Sequence, residues 1–443
     1  MKNVTGRIVF SVLTVFLLAF ASCDPSSGGG STDTPPSGGG TSGGGWPPSP
    51  PGGGTGGGGW PPSGGGGGGG GTPGPGIGHT HSGTWLAGST ILLTDTTGFN
   101  VAQTRTCSCG HVDNRTLPLD VFLDAQSAGT LSFNVQMDLG NMIPPASGNW
   151  LALLDYLAGA PVGVYANLDL SLSSMAPAVF NPDRDHAAGK DRVRRLYLPN
   201  AASSITTVIT GNPTFQHFTN LNFVRGDGIT EIGTNVFQNL PLNEIHFGQA
   251  TVIRANAFWV VPSLTTIHLP LVQTIEGSAF DTTNITGILD LPAVQTIGDF
   301  AFLGNANLHT VNLPAVQTIG QGAFGNAASL STVNFGNSLQ SIGVQAFANN
   351  TLFTSIDLPA SFNSLGAFAF YNTNLDTIIS RNSTAPTAPA NALFTTGNVV
   401  LPTLLPINGG EIRIPVGSTG AYMLEAGWAA AVVGGAFIED PSL

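Results

Sequence analysis

Three constellations in the sequence carry residue types that do chemistry. The first is Cys107-Ser-Cys109 with His111, joined upstream by His79-Thr-His81. Cysteine and histidine are the ligands zinc prefers, but a structural zinc site usually places paired cysteines two to four residues apart. One intervening residue is tight for a single tetrahedral ion. The pair reads equally as an oxidised pair outside the cytoplasm or as two free thiols. The second is Asp183-Arg-Asp185 with Asp191, carboxylates of the kind that hold calcium. They lack the loop spacing and the glycine of a calcium loop, and a polar insertion on an outer edge accounts for them. No Gly-x-Ser-x-Gly, His-Glu-x-x-His or phosphate-loop motif occurs, and the eight histidines are scattered without a nucleophile–base set. The expectation is a chain that is not an enzyme and has no bound metal and no cofactor.

The third constellation is a column: Arg225, His246, His268, Asp290, Asn312, Asn334 and Asp357, at steps of 21 to 23 residues. Its neighbours are Glu244, Thr266, Thr310, Thr332 and Ser355. A flat, polar, evenly spaced surface suits protein or glycan binding, and it does not exclude water as catalysis normally requires. Solvated strand residues would look the same at any single position. The two histidines would make binding pH-sensitive.

The elements that must position this column repeat from Leu221 to Leu375. Leu264-Thr-Thr-Ile-His-Leu-Pro-Leu-Val-Gln-Thr-Ile is followed by Leu289-Asp-Leu-Pro-Ala-Val-Gln-Thr-Ile and Val311-Asn-Leu-Pro-Ala-Val-Gln-Thr-Ile. A Phe recurs at 237, 258, 280, 302, 324, 347 and 370, and five residues before each stands Ile232, Ile253, Ile275, Ile297, Ile319, Ile342 or Leu365. A fixed period of this length with apolar residues in phase means a solenoid of stacked units. Within one unit, strand alternation turns Leu264, Ile267 and Leu269 inward and Thr265, Thr266 and His268 away from the core. Pro270 stops the strand because its nitrogen cannot donate to a ladder. Val272, Ile275, Ala279 and Phe280 then re-enter the core.

Two further columns have structural readings. Gly233, Gly298, Gly320, Gly343 and Gly366 follow the branched residue, but Arg254 and Glu276 replace glycine elsewhere, so the position does not demand positive φ. Two residues after each Phe stand Asn239, Val260, Thr282, Gly304, Asn326, Asn349 and Asn372. Four Asn of seven suggest a buried ladder of side-chain amides bonding the neighbouring coil's backbone.

Units of the form Leu-x-x-Ile-x-Leu-Pro-x-x-Val-x-x-Ile-Gly-x-x-Ala-Phe resemble the BspA-like class of leucine-rich repeats, over about Leu168 to Trp428. The terminal Ile412-Arg-Ile-Pro-Val-Gly-Ser…Ala-Tyr…Gly-Trp428 is similar to the tail of that family. Members often carry Cys shortly after the Phe, where this chain has Asn or other residues. The resemblance implies a curved leucine-rich-repeat solenoid with a parallel β-sheet on its concave face and short turns or 3-10 segments on its convex face. It also implies a surface protein that adheres to host matrix proteins or to other bacteria.

The rest of the chain fits export. Residues 1–22 read as a signal peptide, with Lys2 and Arg7 before an uncharged apolar run of 14 residues from Ile8 to Ala21. That run is too short to span a bilayer, which takes roughly 20 residues. Phe20-Ala21-Ser22-Cys23 resembles the lipobox of bacterial lipoproteins, with Phe in place of the usual Leu; the resemblance implies cleavage before Cys23 and lipidation of its thiol. Residues 23–80 are nearly all Gly, Pro, Ser and Thr, with Trp-Pro-Pro at Trp46 and Trp60. Such a segment buries too little apolar area to offset its ordering and reads as a disordered tether with an end-to-end distance of roughly 40 Å.

Residues 81–163 read as a small mixed N-terminal cap covering the open end of the repeats. Strands are expected at Thr90–Thr94, Val121–Leu123 and Leu131–Leu139, and a short helix from Trp150, ended by Gly159 and Pro161. Residues 164–380 are the solenoid, beginning with the strand signatures Leu168-Asp-Leu-Ser and Leu196-Tyr-Leu-Pro. Residues 381–443 form a C-terminal cap of strand, turn and short helix, after a last echo of the repeat at Asn391-Ala-Leu-Phe394.

Composition narrows the partners. Only 9% of the 443 residues are charged and the net charge is −12, so no Lys/Arg face is available for nucleic acid. Lys190, Arg192, Arg194 and Arg195 are the densest basic cluster and read as a binding patch or equally as a solvated strand edge. The expected protein is lipid-anchored at the cell envelope, exposed on the outer membrane surface, and binds extracellular host or bacterial proteins or glycans. The alternative is a structural spacer lipoprotein with no dedicated ligand.

Overall fold

The computed structural model describes residues 84–107, 111–142, 146–183, 185–205, 214–389, 411–425, 428 and 437–443. The expected signal peptide, Cys23, the tether, His79, His81, Cys109 and the echo at Asn391–Phe394 lie outside the described residues. The chain divides into two compact units, 1–78 and 79–443, and all described residues fall in the second.

Alternation along the repeated strands produces the first wall of a parallel β-solenoid. Leu264 and Leu269 are buried, while Thr266 and His268 are exposed on the strand Thr266–His268. Seven strands stack in parallel and in sequence order: Ile91–Thr94, Gly129–Gln136, Val164–Asp169, Val193–Tyr197, Phe223–Arg225, Glu244–His246 and Thr266–His268. The pattern continues as a three-stranded sheet (Gly287–Asp290, Leu308–Leu313, Thr332–Phe335) and a four-stranded one (Ser355–Leu358, Thr377–Ser380, Glu411–Pro415, Phe437–Asp440). In-register pairing holds inward residues on inward residues, as in Val224, Ile245 and Ile267.

The Thr-Ile pairs, too short for alternation to reveal, form a second parallel ladder of nine two-residue strands from Val179–Phe180 to Ser364–Leu365. Their branched residues are buried, with Ile253 and Ile275 fully so. Short turns then carry the chain past the phenylalanine column. Those rings stack face to face from coil to coil, with Phe258 and Phe280 5.0 Å apart and Phe302 and Phe324 5.3 Å apart. Each ring buries its full area and gains a further increment from its stacked neighbour, so the column carries much of the coil-to-coil energy.

Backbone bonds in the phenylalanine segment run along the stack. Asn256, Phe258 and Val260 donate their N–H groups to the carbonyls of Gly277, Ala279 and Asp281 at 3.0, 2.8 and 3.0 Å. The residues two before and two after each Phe sit in the left-handed region, such as Asn256 (φ 57°) and Val260 (φ 54°). This corrects the reading of the Asn column. Asn239, Asn326 and Asn372 are exposed, and Asn is chosen there because it tolerates left-handed backbone, not because its amide is buried. The amides instead form a surface ladder, Asn349 donating to Asn326 at 2.8 Å and Asn372 to Asn349 at 3.0 Å. Buried amide bonding occurs one residue later, at Asn305 and Asn350.

The glycine column is explained by close approach. A Cβ on Gly343 would lie 2.6 Å from the Gly320 carbonyl carbon and one on Gly298 2.7 Å from that of Glu276, so the coils pack backbone on backbone there without positive φ.

The N-terminal region extends the first wall: its strands Ile91–Thr94 and Gly129–Gln136 belong to the seven-stranded sheet, and the helix Asn149–Gly159 forms where expected. Val121–Leu123 is not a strand but part of the helix Leu119–Asp124, whose buried Leu119, Phe122 and Leu123 fit the helical i, i+3, i+4 spacing. A short apolar run does not by itself separate the two. Leu86–Ala87, Asn100–Thr106 and Val112–Pro118 make a separate antiparallel sheet. At the other end, the strand Glu411–Pro415 and helix Thr419–Leu424 match expectation. Trp428 is fully buried there, donating to the Pro386 carbonyl at 2.8 Å.

Candidate functional site

The outward residues of the first wall form the column anticipated from sequence. Arg225 pairs in register with His246 and His246 with His268; beyond the break after His268, Asp290, Asn312 and Asn334 pair in register. A second break separates Asn334 from Asp357, so the column is carried by three sheets rather than one. An open cleft of about 350 Å³ lies at that second break, lined by Asn334, Phe335, Gly336, Asp357 and Arg381 among others.

Several column residues are engaged with neighbours. Arg225 Nε donates to both Asp227 oxygens at 2.9 and 3.0 Å, and these bonds raise the guanidinium's pKa further. His246 Nε2 lies 2.5 Å from Glu244 Oε1. Asn334 donates to Asn312 at 2.8 Å, and Arg381 forks onto Asp357 at 2.8 and 2.7 Å. His268 and Asp290 are exposed. In the neighbouring column, Thr266 and Thr332 face out as expected, and so does Ile288, 67% exposed on the strand Gly287–Asp290.

The wall extends the column toward the N-terminus through residues that the periodic reading left out. Register continues it as Asn134, Asp169 and Tyr197, with Ser132, Asn167, Arg195 and Phe223 leading to Glu244 beside it. The rings Tyr197, Phe223, His246 and His268 follow one another at 5.3, 5.5 and 5.4 Å between centroids. The signature Leu196-Tyr-Leu-Pro already implied that Tyr197 faces outward, but longer insertions hid its phase with Arg225.

The basic cluster is not a solvated strand edge. Lys190 is fully buried, and Arg194 and Arg195 stack over Tyr165 and Phe223 at 3.8 and 3.7 Å. Burial lowers the Lys190 pKa to about 8, opposed by the charges of Asp183 and Asp185.

The other two constellations have structural partners. Asp183 is buried rather than on an outer edge: its carboxylate accepts the N–H groups of Ala146 at 2.8 Å and Asp185 at 3.2 Å, and its carbonyl accepts the Lys190 ammonium. These bonds tie the segment before the helix Asn149–Gly159 to the approach of the strand Val193–Tyr197. Cys107 is buried and disulfide-bonded, so its sulfur is not a free thiolate for zinc.

A family model described as a BspA type leucine rich repeat region matches in six copies, over residues 194–292 and 273–392. No curated protein matches the chain. Among solved structures, a leucine-rich repeat protein from Bacteroides ovatus is 22% identical with a TM-score of 0.38, covering 49% of this chain; the chain spans 63% of that protein's length. A leucine rich cell surface protein from Faecalibacterium prausnitzii is 14% identical over 79% of this chain and 99% of its own, with a TM-score of 0.29. The pneumococcal vaccine antigen PcpA is 13% identical over 82% of this chain and 100% of its own, with a TM-score of 0.21.

Proposed function

Residues 194–392 belong to the BspA-type leucine-rich-repeat family, and we propose that the chain is a cell-surface, lipid-anchored binding protein that presents the outward face of its first wall to extracellular proteins or glycans, in adhesion to host matrix or to other bacteria. The observation that carries this reading is the regular polar face itself. Arg225, His246, His268, Asp290, Asn312, Asn334 and Asp357 stand one per coil on a frame whose inward residues are consumed by the core. Such a face offers many weak polar contacts at strand spacing, and its openness to water suits recognition rather than catalysis. Anchoring rests on the lipobox-like Phe20-Ala21-Ser22-Cys23, and display away from the membrane on the Gly-rich stretch that follows.

The test is protease and antibody access to the chain on intact cells, joined to binding of purified chain to extracellular-matrix proteins. Access only after permeabilisation would remove the surface reading. A second reading is a structural envelope protein with no ligand, favoured by the pairing of Arg225, His246, Asn334 and Asp357 with their own neighbours. An envelope defect on deletion, with no captured partner, would select it.

A further inference from the structure

The strand Val193–Tyr197 contains an irregularity that changes what its face presents. Its pairing to Val164–Asp169 shifts between Val193, opposite Ala166, and Arg195, opposite Asn167, leaving Arg194 as the extra residue of a β-bulge. In an unbroken strand Arg194 and Arg195 would point to opposite faces. The bulge turns both outward while Val193 and Leu196 stay buried. Arg194 lies over Tyr165 and donates to Thr130 Oγ1 at 3.0 Å; Arg195 lies over Phe223. A guanidinium held over a ring keeps further N–H groups to offer a planar anion, and on Arg194 one of them is already given to Thr130.

Charge pairing sets these two apart among the arginines of the solenoid strands, while Arg115 of the antiparallel sheet likewise lies over Trp85 and donates to Gln103. Along the solenoid Arg225, Arg254, Arg381 and Arg413 each hold a carboxylate, whereas Arg194 and Arg195 have none among the described residues. Two consecutive arginines without a carboxylate, one guanidinium reaching toward Tyr165 and Thr130 and the other toward Phe223, are a local exception in a chain of net charge −12 that an extended anionic partner would complement. Of the nearby carboxylates, Asp227 is held by Arg225, while Asp169 accepts the Ser171 N–H and keeps its charge opposite Tyr197, at the edge of the pair. Around the pair stand hydroxyls and amides, Thr130, Ser132, Asn134 and Asn167, beside the half-buried rings of Tyr165 and Tyr197 and the buried Phe223. Asn167 Oδ1 is a buried acceptor with no partner. Peptide recognition draws most of its energy from side chains filling apolar pockets. The donors and acceptors of this surface match the hydroxyls and acid groups of sugars, and its rings offer flat faces on which sugar rings stack.

We propose that Arg194 and Arg195, with Thr130, Asn167 and Tyr197 beside them, form a subsite for the carboxylates of an acidic polysaccharide. The inference rests on the outward face being the binding surface, and narrows the ligand and the place. The test measures binding of the full chain to polygalacturonate oligosaccharides, with neutral dextran and poly-glutamate as comparisons. Polygalacturonate should bind, weaken with salt and outcompete both. The double variant Arg194→Gln/Arg195→Gln should lose about tenfold or more in affinity, and Arg194→Lys/Arg195→Lys, which keeps charge and stem but not the fork, should lose less. Asn326→Gly, an exposed position in the phenylalanine segment and off the first wall, should bind polygalacturonate as the parent does. Each variant is first shown to melt at the parent's temperature; if the Gln variant does not, the Lys variant alone decides, and parental affinity in it overturns the proposal. So does unchanged affinity in the Gln variant, tighter binding of poly-glutamate, or no binding of polygalacturonate. Matrix-protein binding that is lost in His268→Ala/Asp290→Ala, with polygalacturonate affinity unchanged in the Gln variant, would leave the wider reading standing and sink this subsite alone.

Discussion

Asn305 Nδ2 donates to the Phe280 carbonyl at 3.0 Å, reaching from one coil into the previous one. The same amide donates to the Phe302 carbonyl at 3.1 Å and accepts from Thr283 at 2.7 Å and the Ile285 N–H at 3.0 Å. All of this occurs at a fully buried position. Asn305→Ala strands several buried polar groups and should cost about 2–3 kcal/mol in urea unfolding. Asn326→Gly, at an exposed left-handed position, should change stability by less than about 0.5 kcal/mol. Equal costs would contradict the assignment of the buried ladder.

The two special backbone columns respond in opposite directions. Gly343→Ala places a Cβ 2.6 Å from the Gly320 backbone, where no side-chain rotation relieves it, and should destabilise by about 1–3 kcal/mol. Val260 is a β-branched residue at φ 54°, and Val260→Asn should stabilise by about 0.5–1 kcal/mol. Urea midpoints of the two variants check both signs.

Lys190 gives the stability a pH dependence. Burial lowers its pKa from 10.5 to about 8 in the folded chain, so between those values the unfolded state binds the extra proton. Stability from this group therefore rises as pH increases through that window, and below about pH 8 the burial penalty is fully present. Comparing urea midpoints at pH 7.5 and 9.5, the parent should gain relative to Lys190→Met, which lacks the group. An identical pH response in both would rule out the contribution.

The sequence made the solenoid legible because burial constrains residue type: the Phe and Ile columns have one apolar solution per coil, and it repeats. The Asn column was misread because two different demands, left-handed backbone and a buried amide, select the same residue; Asn326 meets the first and Asn305, outside the column, the second. The ladder through Thr274–Ile275 was missed because two residues carry no period. At the candidate face, the column from Arg225 to Asp357 was readable by counting, but Arg195 and Tyr197 were not. An extra residue at Arg194 breaks the count, and only pairing against Asn167 reveals which way each side chain turns.

The most direct measurement is the affinity of the purified chain for a bound extracellular-matrix protein before and after the joint substitution of His268, Asp290, Asn312 and Asn334 by Ala. These side chains lie off the core, so the variant should melt within a few degrees of the parent. Affinity should fall about tenfold or more if the outward face is the binding surface. An unchanged affinity in a fully folded variant would contradict it.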